Sequence, residues 1–326
     1  MRKLFNVAIV GATGLIGDKF IRVLEKRNFP VSRLKLFASD KSVGKKIFAF
    51  NKEHTVQKLS EGCFVGANVA FFSAGKEIAK KYAPLAINEG AYVIDNSSQF
   101  RQNPKIPLIV PEINGEVLKN TNSRLIANPN CSTAIAILPL KTLDEYFGIK
   151  RIIYTTYQAV SGSGQKGIED FLNCMRGLSP KFYNADISKN FIPQIGSFSV
   201  FGYTNEEIKM IEETKKILGK DLLISATCVR VPIENCHGVS VEVELEKDFY
   251  DEDIKTIFKG VKGITLCDLP TPQCANGKDN VFFGRIKRSL AFKNGLGYFC
   301  VGDNTLKGAS LNAVQIAEKL IEYAKI

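Results

Sequence analysis

A seven-residue turn near the N-terminus constrains the fold more than any other stretch. Gly11-Ala12-Thr13-Gly14-Leu15-Ile16-Gly17 follows the apolar run Phe5 to Val10 and opens a helical pattern, Leu15 to Arg27. A strand, a glycine-rich turn and a helix in that order turn unpaired N–H groups and a positive dipole end toward a site where a pyrophosphate can approach the backbone. The spacing is GxxGxxG and not the usual GxGxxG, so its place in the chain carries the reading, against the alternative of a tight turn without a ligand.

The next hundred residues keep the same rhythm. Leu34 to Ala38, Val69 to Ser73 and Tyr92 to Asp95 read as buried strands, and Lys76 to Asn88 as a helix. Continuous apolar strands between helices predict a parallel sheet covered on both faces. Beyond the midpoint the pattern changes. Arg151 to Val160, Leu222 to Val231, Val239 to Glu246, Val281 to Lys287 and Gly297 to Val301 are longer, alternate more and have fewer helices between them. They predict a mixed or antiparallel sheet with one open or interface-forming face. Leu306 to Tyr323 has a helical period. The expected fold is α/β: a Rossmann-type dinucleotide-binding domain plus an α+β domain with a mixed sheet, divided near 127–131.

The 326 residues suffice for two such domains. No run near 18 apolar residues predicts a membrane helix. Met1-Arg2-Lys3-Leu4-Phe5 begins like a signal peptide but passes straight into the first strand, so a cytoplasmic location is expected. The net charge is +11, yet the Lys and Arg residues are dispersed, which predicts a solvated surface and no nucleic-acid partner. Eight cysteines form no CxxC pair and there are two histidines, so neither a metal site nor a disulfide framework is expected. His54 is expected to be exposed.

After the second strand the chain reads Phe37-Ala38-Ser39-Asp40-Lys41-Ser42. An NAD site would place an acid there for the ribose hydroxyl. Ser39 and Lys41 can hold a 2′-phosphate, whereas Asp40 pointing inward would oppose one. NADP is expected, with dual use as the alternative. Cys131 stands out among the thiols. Asn128-Pro129-Asn130-Cys131-Ser132-Thr133 precedes a helical pattern, Ala134 to Tyr146. A cysteine at a helix start feels the positive dipole end, which favours the nucleophilic thiolate.

Pro129-Asn130-Cys131-Ser132-Thr133 resembles the active-site motif of the aspartate-semialdehyde dehydrogenase family. So, in the same order, do Asp95-Asn96-Ser97-Ser98-Gln99-Phe100-Arg101, Tyr157-Gln158-Ala159-Val160-Ser161-Gly162, Cys228-Val229-Arg230-Val231-Pro232 with His237 beyond it, and Asp303-Asn304-Thr305-Leu306-Lys307-Gly308. Five ordered motifs cover the whole chain. The stretch Ser179 to Tyr203 looks short for the family.

The resemblance implies reduction of L-4-aspartyl phosphate by NADPH to L-aspartate 4-semialdehyde, on the route to lysine (through diaminopimelate), threonine, methionine and isoleucine. It implies Cys131 as nucleophile, His237 as acid and base, Gln158 positioning a thioester, and Asn130 with the Cys131 N–H at the oxyanion. Arg230 would take the α-carboxylate, Glu206 the ammonium, and Arg101, Lys209 and Asn130 the phosphate. Neighbouring Glu207 leaves the Glu206 assignment ambiguous by one position. Ser73, Gly75, Ser161, Gly162 and Asn304 would line the cofactor. A dinucleotide domain of residues 1–130 with 305–326, a catalytic and dimerisation domain of 131–304, and a homodimer (a tetramer being the alternative) complete the expectation.

Three rivals differ in substrate or chemistry. N-acetyl-glutamyl-phosphate reductase acts on a blocked amine, which gives Glu206 no purpose. A coenzyme A-linked reductase would use another acyl donor. A non-catalytic NADP-binding protein would be expected to lack one of Cys131, Gln158, Arg230 or His237, and all four are present.

Overall fold

The computed structural model describes residues 3–326; the first two residues of the signal-like start lie outside them. Two compact units result, one of the described residues up to Pro129 with Ala309–Ile326, the other Asn130–Gly308.

In the first unit, β1 (Phe5–Val10) leads through the glycine turn into α1 (Leu15–Lys26), and β2 (Val31–Phe37), β3 (Lys46–Ala49), β4 (Lys52–Gln57), β5 (Val69–Phe72), α2 (Lys76–Asn88), β6 (Tyr92–Asp95), the short α3 (Pro111–Asn114) and α4 (Val117–Asn120), and β7 (Leu125–Ala127) follow. The sheet order is β3-β4-β2-β1-β5-β6-β7. Val7, Ala8, Ile9 and Val10 are all fully buried, as a central strand covered on both faces requires. One correction concerns the sheet. It is parallel except at one edge, where β3 runs antiparallel to β4. Phe50 and Asn51 close that hairpin with positive φ at both turn residues. The same hairpin corrects His54, which is half-buried, its Nε2 at 3.1 Å from the Ala49 carbonyl.

The second unit starts with α5 (Cys131–Phe147) and β8 (Ile149–Gln158), followed by α6 (Gln165–Met175), α7 (Asn205–Leu218), β9 (Leu223–Arg230), β10 (His237–Leu245), α8 (Asp251–Ile257), β11 (Ile264–Leu266), α9 (Pro272–Ala275), β12 (Val281–Arg288) and β13 (Gly295–Gly302). Its sheet is ordered β11-β12-β13-β10-β8-β9 and is mixed: β8 with β9 and β11 with β12 are parallel, the other pairs antiparallel. α5 is buried nearly all round, which marks a helix inside a core. With α7 it covers one face of the sheet. Ile153, Tyr157 and Leu223 point from the other face and are exposed.

The chain ends in the first unit with α10 (Leu311–Glu322), packed on α1, α3 and β6. Arg27 grips Glu318 through two 2.7 Å contacts, and Asn312 donates to Ile109 and Asn128. Among the described residues no disulfide forms, and Cys174, Cys228, Cys236 and Cys300 are core residues, whereas Cys274 is exposed. Among the described residues no helix is long and apolar enough to cross a membrane.

Candidate active site

The glycine turn of the first unit is shaped by close approach. Gly11 sits at φ +90, a conformation that side chains disfavour, and an added Cβ would meet Ser73 at 3.0 Å. A Cβ on Gly17 would run into the Gly11 carbonyl oxygen and lie 2.7 Å from Ala12 Cα. Gly14 caps α1 without a side chain, so nothing of its own covers the first-turn N–H groups. Thr13 Oγ1 lies 3.2 Å from Ser42 Oγ, which brings the Ser39–Lys41 turn beside it. Ser39 and Lys41 are exposed, and Asp40 points away to Lys58 at 3.0 Å. Ser73 follows β5 and donates to the Val10 carbonyl, and Gly75 starts α2. Arg101 also belongs to this unit, its guanidinium donating to the Asn96 carbonyl at 2.6 Å.

The second unit gathers Asn130, Cys131, Gln158, Ser161, Gly162, Glu206, Lys209, Arg230, His237 and Asn304. Cys131 is the first residue of α5 and half-buried. Asn130 is the cap: its Oδ1 accepts from the N–H groups of Ser132 (2.9 Å) and Thr133 (3.3 Å). Its Nδ2 donates to Glu206 at 2.8 Å, leaving the amide one further N–H. Gln158 ends β8, its Nε2 lying 3.2 Å from Thr156 Oγ1 and 3.4 Å from Glu206 Oε1. Lys209 reaches the other oxygen of Glu206 at 3.1 Å. Burial works against the Glu206 charge, but Lys209, the Asn130 amide and Arg230 prevail and hold its carboxyl below the usual range.

Ala159 joins the two remaining groups through its main chain. Its N–H donates to His237 Nδ1 at 3.0 Å, and its carbonyl accepts from Arg230 Nη1 at 2.5 Å. With Nδ1 accepting, the neutral ring carries its proton on Nε2. That Nε2 is buried and has no hydrogen-bond partner among the described residues. Burial first, and Arg230 second, push the imidazole well below its ordinary pKa, so it is uncharged near neutrality. Gly162 leaves the space beside both: a Cβ there would stand 2.8 Å from Arg230 Nη1 and 3.1 Å from His237 Nε2. Asn304 Oδ1 accepts the Cys236 N–H at 2.9 Å, and its Nδ2 donates to Ser161 Oγ at 2.9 Å. Cys236, directly before His237, adopts φ 75, strain of the kind that collects at functional sites.

Sequence reading missed several supports. Thr204 and Glu207 form a capping box on α7, and Glu207 also accepts the Cys228 N–H at 2.9 Å, so Glu207 is occupied in holding the fold. The Thr204-x-x-Glu207 signature is legible in the sequence and would have separated the two acids. Asp303 accepts from Asn235 and Gly277 and caps Thr305. Gly308 packs on Cys131 so closely that an added Cβ would lie 2.9 Å from the Cys131 Cβ.

Comparison with known proteins agrees with this anatomy. Residues 6–121 match the family model "Semialdehyde dehydrogenase, NAD binding domain" and residues 140–307 its "dimerisation domain". Fold and site thus define a semialdehyde dehydrogenase. The aspartate-semialdehyde dehydrogenase of Aquifex aeolicus is 44% identical over 338 residues, covering 99% of each chain. The crystal structure of aspartate semialdehyde dehydrogenase II from Vibrio cholerae, complexed with ASA, superposes with a TM-score of 0.96 at 40% identity, covering 98% of this chain and 99% of that one. The Candida albicans enzyme with NADP superposes at 0.81 with 25% identity, covering 99% and 100%. This chain belongs to the aspartate-semialdehyde dehydrogenase family.

Proposed function

We propose that the chain reduces L-4-aspartyl phosphate with NADPH to L-aspartate 4-semialdehyde and phosphate, the first unit holding the cofactor and the second performing the chemistry. The observation that carries the substrate is Glu206, a buried carboxylate kept ionised beside Arg230. A substrate with both a free ammonium and an α-carboxylate uses both charges; an acetylated amine has no charge to offer Glu206.

The Cys131 thiolate attacks the acyl carbon; the C–S bond forms, the C–O bond to phosphate breaks and phosphate leaves, giving a thioester. Asn130, through its remaining N–H, and the Cys131 N–H steady the oxyanion. Gln158 orients the thioester. The dihydronicotinamide, when bound, supplies the hydride that reduces it. His237, neutral with Nε2–H aimed into the site, exchanges the proton between the substrate oxygen and the thiol. Arg230 takes the α-carboxylate, Glu206 the ammonium, and Lys209 with Asn130 the phosphate; the part given to Arg101 rests on the resemblance.

The glycine turn fits the dinucleotide, because an added Cβ at Gly11 or Gly17 would meet its surroundings and Gly14 leaves the first helical turn open. Ser39 and Lys41 would meet the 2′-phosphate, and Ser73 and Gly75 would serve the cofactor in the first unit; the resemblance assigns Ser161, Gly162 and Asn304 of the second unit to it. We place the protein in the cytoplasm as a homodimer, a second copy covering the sheet face that exposes Ile153, Tyr157 and Leu223. Sedimentation as a monomer at micromolar concentration would refute that assembly.

The test of function is phosphate-dependent reduction of NADP given L-aspartate 4-semialdehyde, with Cys131→Ala alongside. Activity in the wild type alone supports substrate and nucleophile. Turnover surviving in the variant overturns the thioester route. An inactive wild type that still binds NADP points to the acetylated substrate.

A further inference from the structure

The helix that carries Glu206 and Lys209 presents one more acid on the same face, two turns on. Glu213 of α7 is fully buried, and its Oε2 accepts the main-chain N–H of Asn130 at 2.6 Å. Asn130 caps α5 and directly precedes Cys131. In a capping box the N–H of the cap residue is taken by an acid at the third helical position. In α5 that position is Thr133, which has no carboxylate.

We infer that Glu213 completes this box from a different helix and is a positioning residue for Cys131, acting through Asn130. The inference rests on Cys131 being the nucleophile. α7 then holds the cap residue twice, through the main chain by Glu213 and through the side chain by Glu206. With the main-chain N–H and one amide N–H tied, the Asn130 oxygen turns back onto the Ser132 and Thr133 N–H groups, and the direction of the Cys131 side chain is set. A charge-assisted bond suits the task, being shorter and stronger than one to a neutral acceptor. The charge also has a cost: an anion bonded to the residue before Cys131 opposes the thiolate that the helix start favours. Glu213 therefore exchanges some thiolate for geometry.

That opposition gives the test its two arms, Glu213→Ala and Glu213→Gln, the second keeping a neutral acceptor of equal length. Turnover and NADP affinity would be measured together with the pH dependence of Cys131 alkylation by iodoacetamide, each per folded molecule. In Glu213→Ala, kcat should fall about 100-fold, the loss typical of a misplaced reacting group, with NADP affinity unchanged. Glu213→Gln should recover most of the rate and move the alkylation midpoint to lower pH. An unchanged kcat in Glu213→Ala overturns the inference, and so does a Gln variant as impaired as the Ala variant. If Glu213→Ala does not fold, the Gln variant decides alone, and an unmoved midpoint overturns it. Failure of the underlying reading is separate: alkylated wild type or Cys131→Ala would still turn over.

Discussion

The two units build their sites from different material. The first uses main chain: three glycines, a helix end without a capping side chain, and a turn whose side chains are exposed. The second uses side chains brought from α5, β8, α7, β9 and β10, some seated by one another and two, His237 and Arg230, by the main chain of Ala159. A main-chain site tolerates many side chains but no added Cβ where backbones touch. A side-chain site tolerates little chemical change, yet its members can be altered without unfolding the sheet beneath. Substitutions should therefore harm the first unit through folding and cofactor affinity, and the second through turnover.

The largest effect is expected at His237. His237→Asn should lower kcat by about 100- to 10,000-fold, the range for a lost proton-transfer group, with NADP affinity unchanged. It should also flatten the acid limb of stability. The folded ring is neutral because burial and Arg230 depress its pKa well below 6.5, whereas the unfolded ring protonates near 6.5. Below that pH the unfolded state binds the extra proton, so stability falls with falling pH by about 1.4 kcal/mol per unit until the folded pKa is reached. Above it the ring contributes no slope. Denaturant melts between pH 8 and 5.5 would test this; equal slopes in wild type and variant would refute a neutral buried ring.

Gly17→Ala should do the reverse. Its methyl would strike the Gly11 carbonyl and Ala12, costing about 1–3 kcal/mol through backbone shifts and abolishing measurable NADP binding. Iodoacetamide should still label Cys131 at the wild-type rate. Weak but saturable NADP binding with unchanged melting would show that the turn has more room than its main-chain contacts imply.

The same difference in material governs what the sequence reveals. β1 and its turn were legible because apolar runs and glycines sit side by side along the chain. The mixed sheet of the second unit was legible from its alternation, and β8, β9, β10, β12 and β13 lie within a few residues of the expected strands. The β3–β4 hairpin was not, because Phe50 and Asn51 do the work usually signalled by Asn-Gly. Nothing in the spacing of residues 131, 158, 206, 230 and 237 says that they meet; the resemblance named them. What joins them is largely invisible to either reading. The Ala159 main chain serves both His237 and Arg230, and any residue but proline offers those same two groups.

Glu206 and Glu207 set the comparison inside a single helix. Glu206→Gln should raise KM for the semialdehyde roughly 10- to 100-fold, as expected when a charged hydrogen bond to substrate is lost, with melting little changed. Glu207→Ala removes a capping box and leaves the buried Cys228 N–H without its acceptor, which should cost about 1–3 kcal/mol of stability. Its KM in the folded fraction should stay within about threefold. If the two variants exchange these phenotypes, the ammonium belongs to Glu207.

The smallest effect is expected at the exposed lysine of the first unit's turn. Lys41 is exposed on the turn that Ser42 links to Thr13, and the competing acid, Asp40, is drawn to Lys58. Neither charge is shielded from water, so Lys41→Ala should raise KM for NADP only about fivefold and leave NAD untouched. Ordinary salt screens exposed charges over about 8–10 Å, so the wild-type advantage for NADP should shrink as ionic strength rises, and the variant should show little of this dependence. Arg230, buried and bonded to main chain, should lose its carboxylate contact at any salt concentration when replaced. Equal changes for NAD and NADP in Lys41→Ala would mean that this side chain does not meet the 2′-phosphate, and cofactor choice would return to the main chain of the turn.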